Sequence, residues 1–237
     1  MYPETLTRLR LAGTATLTTQ LFKRGFRNVF IQGVRPLGRY DANMVGPAMT
    51  LRYIPAREDL DVLEGFANPE HPQRKAIETA PAGVVLVMDC RGETRAASGG
   101  QILMTRLWKR GAAGMVSDGG MRDAAAIAGL PMPVYCAGPS APLNLVVHHA
   151  VAINEPIACG GVAVYPGDLI VGDTDGVVVV PAHLADEVAV DAAAQEHLEM
   201  FLAERVAGGA ALPGTYPPDD ATHALYRQWC KERGLTP

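Results

Sequence analysis

A chain of 237 residues with a formal net charge of −4 is long enough for one large domain with its own core, and it carries no basic excess to attract a polyanion. Apolar residues make up 48 % and charged residues 19 %, a balance that excludes a disordered chain or a long coiled coil. No apolar run approaches the roughly 20 residues that span a bilayer. The opening MYPETLTRLRLAG lacks a signal-peptide pattern, and Cys90, Cys136, Cys159 and Cys230 show no CxxC spacing. We therefore expect a cytoplasmic protein with reduced thiols that binds neither nucleic acid nor membrane.

In chain order, PETLTRLRLAGTATLTTQLFKRG has Pro3 near a helix start and predicts one or two helices broken near Gly13. RNVFIQGV and VGPAMTLRYIPA are β-rich, and Pro47 at the head of the second suits an edge strand or a strand start. HPQRKAIETAPAG offers a short helix, and VVLVMDC is a continuous apolar run of the kind found in strands covered on both faces. GGQILMTRLWKRGAA (helix), GMVSD (strand), RDAAAIAGL (one or two helical turns) and MPVYCAG (strand) then follow. The order over residues 84–137 is that of βαβ units.

From residue 143 the pattern turns to strands punctuated by Gly-Gly, Pro-Gly-Asp and Asp-Gly, a run of hairpins. AHLADEVAVDAAAQEHLEMFLAERVA predicts about six helical turns, with Leu184, Val188, Ala192, Leu198 and Leu202 on one stripe and acids opposite. We expect a single α/β domain over 1–206. A Gly/Pro linker and a helical tail, capped by Asp219 or Asp220, occupy 207–237 and pack on this subunit or on a neighbour.

Ligands in α/β sheets sit at the carboxyl ends of parallel strands, and both DCRGETRAASGG and SDGGMRD follow predicted strands. Gly99 and Gly100 let backbone approach a ligand, and the amides of Gln101, Ile102 and Leu103 at the start of a helix suit a carboxylate. Arg122 offers a planar fork for a carboxylate or enolate oxygen, and Asp123 a ligand for a hard cation such as Mg²⁺. The same features also occur as a plain turn and a surface ion pair.

The segments VGPAMTL, VVLVMDCRG, GGQIL, RGAAGMVSDGGMRD and GGVAVYPGDLIVGDTDGVVVVP, in this order, resemble the RraA-like family. That family unites class II 4-hydroxy-4-methyl-2-oxoglutarate/4-carboxy-4-hydroxy-2-oxoadipate aldolases with the regulator of ribonuclease E activity. The resemblance implies a layered α/β/α-type, swivelling β/β/α-like domain with βαβ units, a hairpin region and a long C-terminal helix. It implies a divalent metal, Mg²⁺ or Mn²⁺, held by Asp123 partly through water. Arg122 would bind a small anionic 2-oxo acid and stabilise its enolate, with Gly100, Gln101, Ile102 and Leu103 around the substrate carboxylate. The family's acid before a twenty-residue spacer and Arg–Asp maps onto Gln101, and its second acid, three residues past the Asp, onto Ala126. Both positions lack the carboxylate here.

By the same resemblance the chain forms a homotrimer or homohexamer with sites between subunits, a neighbour contributing an acid for which Glu196 and Glu199 are the nearest candidates. The function implied is cleavage of a 4-hydroxy-2-oxo acid or oxaloacetate through a pyruvate enolate. The alternative is a non-catalytic regulator that covers a partner protein. Outside these motifs, adjacent His148 and His149 in a strand must face opposite ways, and Cys90 and Cys136 read as packing thiols. Asp118 either positions the Arg122 loop or caps a turn. Asp168, Asp173 and Asp175 carry turns.

Overall fold

Alternation of apolar side chains along the strands divides this molecule into layers. The computed structural model describes residues 3–235; Met1, Tyr2, Thr236 and Pro237, at the outer ends of the two expected spans, lie outside the described residues. Helices α1 (Pro3–Leu11) and α2 (Thr14–Lys23) break at Gly13, as expected. The expected strand over 27–34 contracts to β1 (Phe30–Ile31), because Gly33 turns the chain at φ +77°, and β2 (Arg35–Pro36) follows. Next come β3 (Met44–Pro55), α3 (Pro72–Thr79), β4 (Val85–Asp89), β5 (Ala97–Gly99) and α4 (Gln101–Lys109). β6 (Gly114–Met121), α5 (Ala124–Ala128) and β7 (Val134–Pro139) complete the βαβ region. The hairpin region holds β8 (His148–Ile153), β9 (Ile157–Cys159), β10 (Val162–Val164), β11 (Leu169–Gly172) and β12 (Val177–Val180). Helices α6 (Ala185–Ala207) and α7 (Asp220–Arg233) close the chain.

The main sheet runs β1-β12-β11-β3-β4-β6-β7-β2, with β5 added on β6 and β8 on β3, while β9 and β10 form a separate hairpin. Parallel pairing of β3 with β4, β4 with β6 and β6 with β7 places α3, α4 and α5 in three successive crossovers. β3 is a correction to the edge reading: its twelve residues lie mid-sheet, pairing antiparallel with β11 and β8 and parallel with β4. Pro47 is tolerated because the β4 ladder starts one residue later, at Ala48, so the missing N–H falls outside it. β8 is likewise not in a local hairpin; it returns to β3 from 93 residues further along the chain, reckoned from Pro55 to its pairing partner His148.

On one face, Leu51, Leu86, Met88 and Met115 pack under α3, α4 and α5. The inner layer, with Val85, Val87, Ile170 and Val179, is closed by the β9–β10 hairpin. On the far face, Leu169, Val171, Val178 and Val180 meet α1, α2 and the first half of α6. The expected α6 stripe thus serves two partners: Val188 and Ala192 join this core. Leu198 and Leu202 instead meet Phe201, Tyr226, Trp229 and Cys230, where α7 docks on its own chain. Asp219 is the α7 cap, its side chain accepting from the Thr222 N–H at 2.8 Å.

Candidate functional site

Register brings the site together. β5 and β6 run parallel with Gly99 opposite Met121, so the segments that leave them, Gly100–Gln101 and Arg122–Asp123, emerge side by side. Two hydrogen bonds join them: the Arg122 N–H donates to the Gly99 carbonyl at 3.1 Å, and the Gln101 N–H donates to Asp123 Oδ2 at 3.1 Å. Arg122 Nε lies 3.6 Å from the same Asp123 oxygen. Asp123 precedes α5 in the left-handed region at φ 59°, a conformation that Asp tolerates better than most residues and that concentrates at functional sites.

Gly100 is a close-approach glycine at φ −145°: a Cβ there would lie 2.8 Å from Asp123 Oδ2 and 2.9 Å from Arg122 Cγ. The first intrahelical bond of α4 runs from the Met104 N–H to the Gly100 carbonyl, so the amides of Gln101, Ile102 and Leu103 have no helical acceptor. Asp123 takes the first of these, which departs from the expected carboxylate cradle and leaves Ile102 and Leu103. Buried Met104 and Leu107 fix the helix behind them, each contributing about 2 kcal/mol of burial.

These groups open on a cavity of about 290 Å³. Its wall joins Ile102, Leu103, Arg122 and Asp123 to Arg74, which the sequence reading did not single out. Arg74 has no carboxylate partner among the described residues; its guanidinium lies 4.3 Å from the Phe66 ring centroid. Two guanidiniums against one carboxylate make the cavity net positive. Gln73 and Asn144 also line it and were likewise missed, since α3 read only as a helix and Asn144 only as part of a β-rich run. Gln101 is exposed and gives the site its backbone, not a wall; Ala126 faces solvent. A larger cleft of 830 Å³ lies between α2, α6 and the tail, where Arg24 and Gln195 are already paired with Asp191 and Glu199.

Among the described residues no three His, Cys, Asp or Glu side chains converge for a metal. The donor set at Asp123 is one exposed carboxylate, with Oδ2 already accepting from Gln101, beside the exposed Gln101 amide. That fits a Mg²⁺ held mostly by water, the ion's ordinary preference, and does not form a dedicated cage.

The model of the RraA-like family, Aldolase/RraA, matches residues 14–179. The chain belongs to this family. A Halalkalibacterium halodurans relative, provisionally named 4-hydroxy-4-methyl-2-oxoglutarate aldolase, is 37 % identical over 148 residues, 62 % of this chain and 64 % of that protein. The match therefore spans less than two thirds of the relative's length. Among solved structures, the Streptomyces coelicolor RraAS2, titled an unusual member of the RNase ES inhibitor RraA protein family, is similar at TM-score 0.74 and 32 % identity, covering 85 % of this chain and 96 % of that one. An uncharacterized Pseudomonas syringae protein is similar at TM-score 0.81 and 25 % identity, covering 92 % and 95 %.

The remaining sequence candidates of this RraA-like chain resolve into supporting parts. Asp118 accepts from the N–H groups of Cys90, Gly92 and Gly160 at 2.6, 2.9 and 3.1 Å, tying the loop after β4 to the β9–β10 turn; burial raises its carboxyl above the usual range. Asp173 caps α2 through Thr14, and Asp168 accepts from Tyr165 and Ala182. Burial pushes the Cys90 thiol up to about 12 and that of Cys136 to about 11, so both are protonated and inert at neutral pH. His148 is fully buried against Tyr53, whereas His149 faces the other way and pairs with Asp61 at 2.8 Å. Glu196 accepts from the Gly13 N–H and Glu199 from Gln195, and neither lines the cavity of its own subunit.

Proposed function

We propose that this chain is a carbon–carbon lyase that cleaves a small 4-hydroxy-2-oxo acid, or decarboxylates oxaloacetate, through a pyruvate enolate. The observation that carries the reading is the convergence of Arg122, two unpaired α4 amides and Asp123 on one small cavity of net positive charge. The Ile102 and Leu103 amides bind the carboxylate next to the oxo group. Arg122 meets the oxo oxygen, where negative charge grows as the bond breaks, and stabilises it in a site already oriented for it. In the cleavage the C3–C4 pair passes into the enolate, the 4-hydroxyl loses its proton and becomes a carbonyl, and C3 gains a proton to give pyruvate. Water at Asp123 carries the hydroxyl proton away. Asp123, with Gln101 beside it, would hold Mg²⁺ or Mn²⁺, which when bound would supply Lewis-acid polarisation of the oxo group in place of a Schiff-base lysine.

In the homotrimer or homohexamer that we propose, with sites between subunits, a neighbouring subunit would cover Ile102, which is 83 % exposed beside the cavity. Four buried free thiols accord with a cytoplasmic setting. The likeness to RraAS2 favours a second reading, a regulator that covers a partner protein. A protein cover does not need a small cationic cavity, so the lyase reading accounts for more of the structure. The test is pyruvate formation from 4-hydroxy-4-methyl-2-oxoglutarate and from oxaloacetate, followed with lactate dehydrogenase in Mg²⁺ and again in EDTA. Metal-dependent release from either supports the reading, and no release from both refutes it.

A further inference from the structure

β5 has only three residues, yet it leads into the turn that carries half of the site. One side of it pairs with β6, Ala97 opposite Gly120 and Gly99 opposite Met121, and among the described residues its other side pairs with no strand. That side is closed instead by side chains from elsewhere in the chain. Gln73 Nε2, on α3, donates to the Ser98 carbonyl at 2.7 Å, and Asn144 Nδ2, before β8, donates to the Ala97 carbonyl at 3.3 Å. The Ser98 carbonyl shares a peptide plane with the Gly99 N–H, so Gln73 fixes the plane that enters Gly99. The next carbonyl, that of Gly99, accepts the Arg122 N–H at 3.1 Å, and α4 starts two residues on. Between them lie Gly99 and Gly100, which have no side chains to anchor a backbone otherwise free to choose among many conformations.

Stability alone does not account for the two amides. Gln73 is 1 % exposed and Asn144 is 5 % exposed. With both NH₂ groups turned to β5, both amide oxygens are left buried beside the Tyr53 hydroxyl, which has one proton to give. Two carbonyls gain a donor while at least one buried oxygen goes short, so the gain is one of direction more than of stability. We propose that Gln73 and Asn144 are positioning residues: their NH₂ groups stand in for the missing strand along β5 and hold the Gly99–Gly100 turn in register with β6. Arg122 follows β6 and α4 follows β5, so any slip between the two strands moves the guanidinium relative to the Ile102 and Leu103 amides. Held in register, these groups meet the oxo acid at fixed distances, and neither Gln73 nor Asn144 touches it. What the turn presents to a substrate rests on the lyase reading; the clamp on β5 does not.

The test separates the directed donors from the bulk of the cluster. Gln73→Met and Asn144→Leu keep the volume and remove the NH₂ group, whereas Tyr53→Phe removes only a hydroxyl and leaves both bonds to β5 in place. Amide hydrogen exchange on the full chain compares the Arg122 N–H, which reports the Gly99 carbonyl, with the amides of β4. Each donor variant is expected to speed exchange at Arg122 about tenfold relative to β4, and Tyr53→Phe to leave that ratio within about threefold of wild type. In the same two donor variants kcat for pyruvate release from 4-hydroxy-4-methyl-2-oxoglutarate should fall about tenfold, the scale of a shift below 1 Å, and Tyr53→Phe should retain it. A role in stability alone would lower protection at Arg122 and in β4 by one factor. That result, equal loosening by Tyr53→Phe, or a loosened Arg122 with wild-type kcat would overturn the proposal, and if one donor variant fails to fold the other decides. Because exchange needs no turnover, a loosened Arg122 in a protein whose wild type releases no pyruvate would uphold the clamp and refute the lyase reading. Pyruvate release by the wild type with the exchange ratio unchanged in the donor variants would refute the clamp and leave the lyase reading standing.

Discussion

Gly100→Ala perturbs the site without removing any of its chemistry. At φ −145° an alanine is unstrained, so the backbone gives no reason for a change. The new methyl, however, lands 2.8 Å from Asp123 Oδ2 and 2.9 Å from Arg122 Cγ, where ordinary contact begins at 3.4 Å. Both side chains must then withdraw by about 0.5 Å. Arg122 and Asp123 are 46 % and 44 % exposed and can move, so the fold should lose less than about 1 kcal/mol. Activity is more sensitive: a misplacement near 1 Å costs about a hundredfold, so half of that should cost about tenfold or somewhat more, near 1.4 kcal/mol of transition-state stabilisation. The assay is kcat/KM for pyruvate release beside a thermal melt. Activity within about threefold of wild type, with the melt unchanged, would show that the Arg122–Asp123 geometry does not matter to turnover.

Asp123→Asn retains a residue that tolerates the left-handed conformation but removes the charge. The melt should stay close to wild type while stimulation by Mg²⁺ is lost, and stimulation that persists in a metal titration would take Asp123 out of the cation site. Asp118→Asn keeps the acceptor for Cys90 but turns an NH₂ toward the N–H groups of Gly92 and Gly160, costing about 2 kcal/mol in chemical denaturation. The folded Asp118 carboxyl is raised by burial, so its contribution is full below the ordinary carboxylate range and declines as pH rises through the raised value. The wild-type advantage over Asp118→Asn should shrink from pH 4 toward pH 7, and widening would contradict the burial argument. Trp229→Ala empties the cluster that holds α7, where the indole N–H donates to Glu204 at 2.9 Å and the ring packs on Phe201. Hydrogen exchange should show α7 released while the βαβ core keeps its protection, and equal loss across both would make the tail part of the core.

How far the sequence revealed this molecule depended on whether a feature was local or assembled. The βαβ order over 84–137, the break at Gly13 and the long α6 are local: continuous apolar strands, a glycine and a 3.6-residue stripe suffice. The position of β3 was not, because its central place comes from β8 and β11, which pair with it from about a hundred residues away. The same distinction runs through the site. Arg122, Asp123, Ile102 and Leu103 sit where glycine pairs end predicted strands, and the β5–β6 register brings them together. Arg74, Gln73 and Asn144 had no local mark, since their relevance arises only when α3 and the segment before β8 close over β5. Gln101 was expected to offer its backbone amide to a substrate carboxylate and instead spends it on Asp123, a contact set by the left-handed turn at that residue.

The central claim is that Arg122 stabilises an enolate formed by carbon–carbon cleavage. Its most direct test is the rate of pyruvate release from 4-hydroxy-4-methyl-2-oxoglutarate by wild type and by Arg122→Ala, in saturating Mg²⁺, with matched thermal melts. Loss of about a thousandfold in kcat with the melt retained is the predicted result, the scale of removing a principal donor to a developing oxyanion. Equal turnover by the two proteins would contradict it.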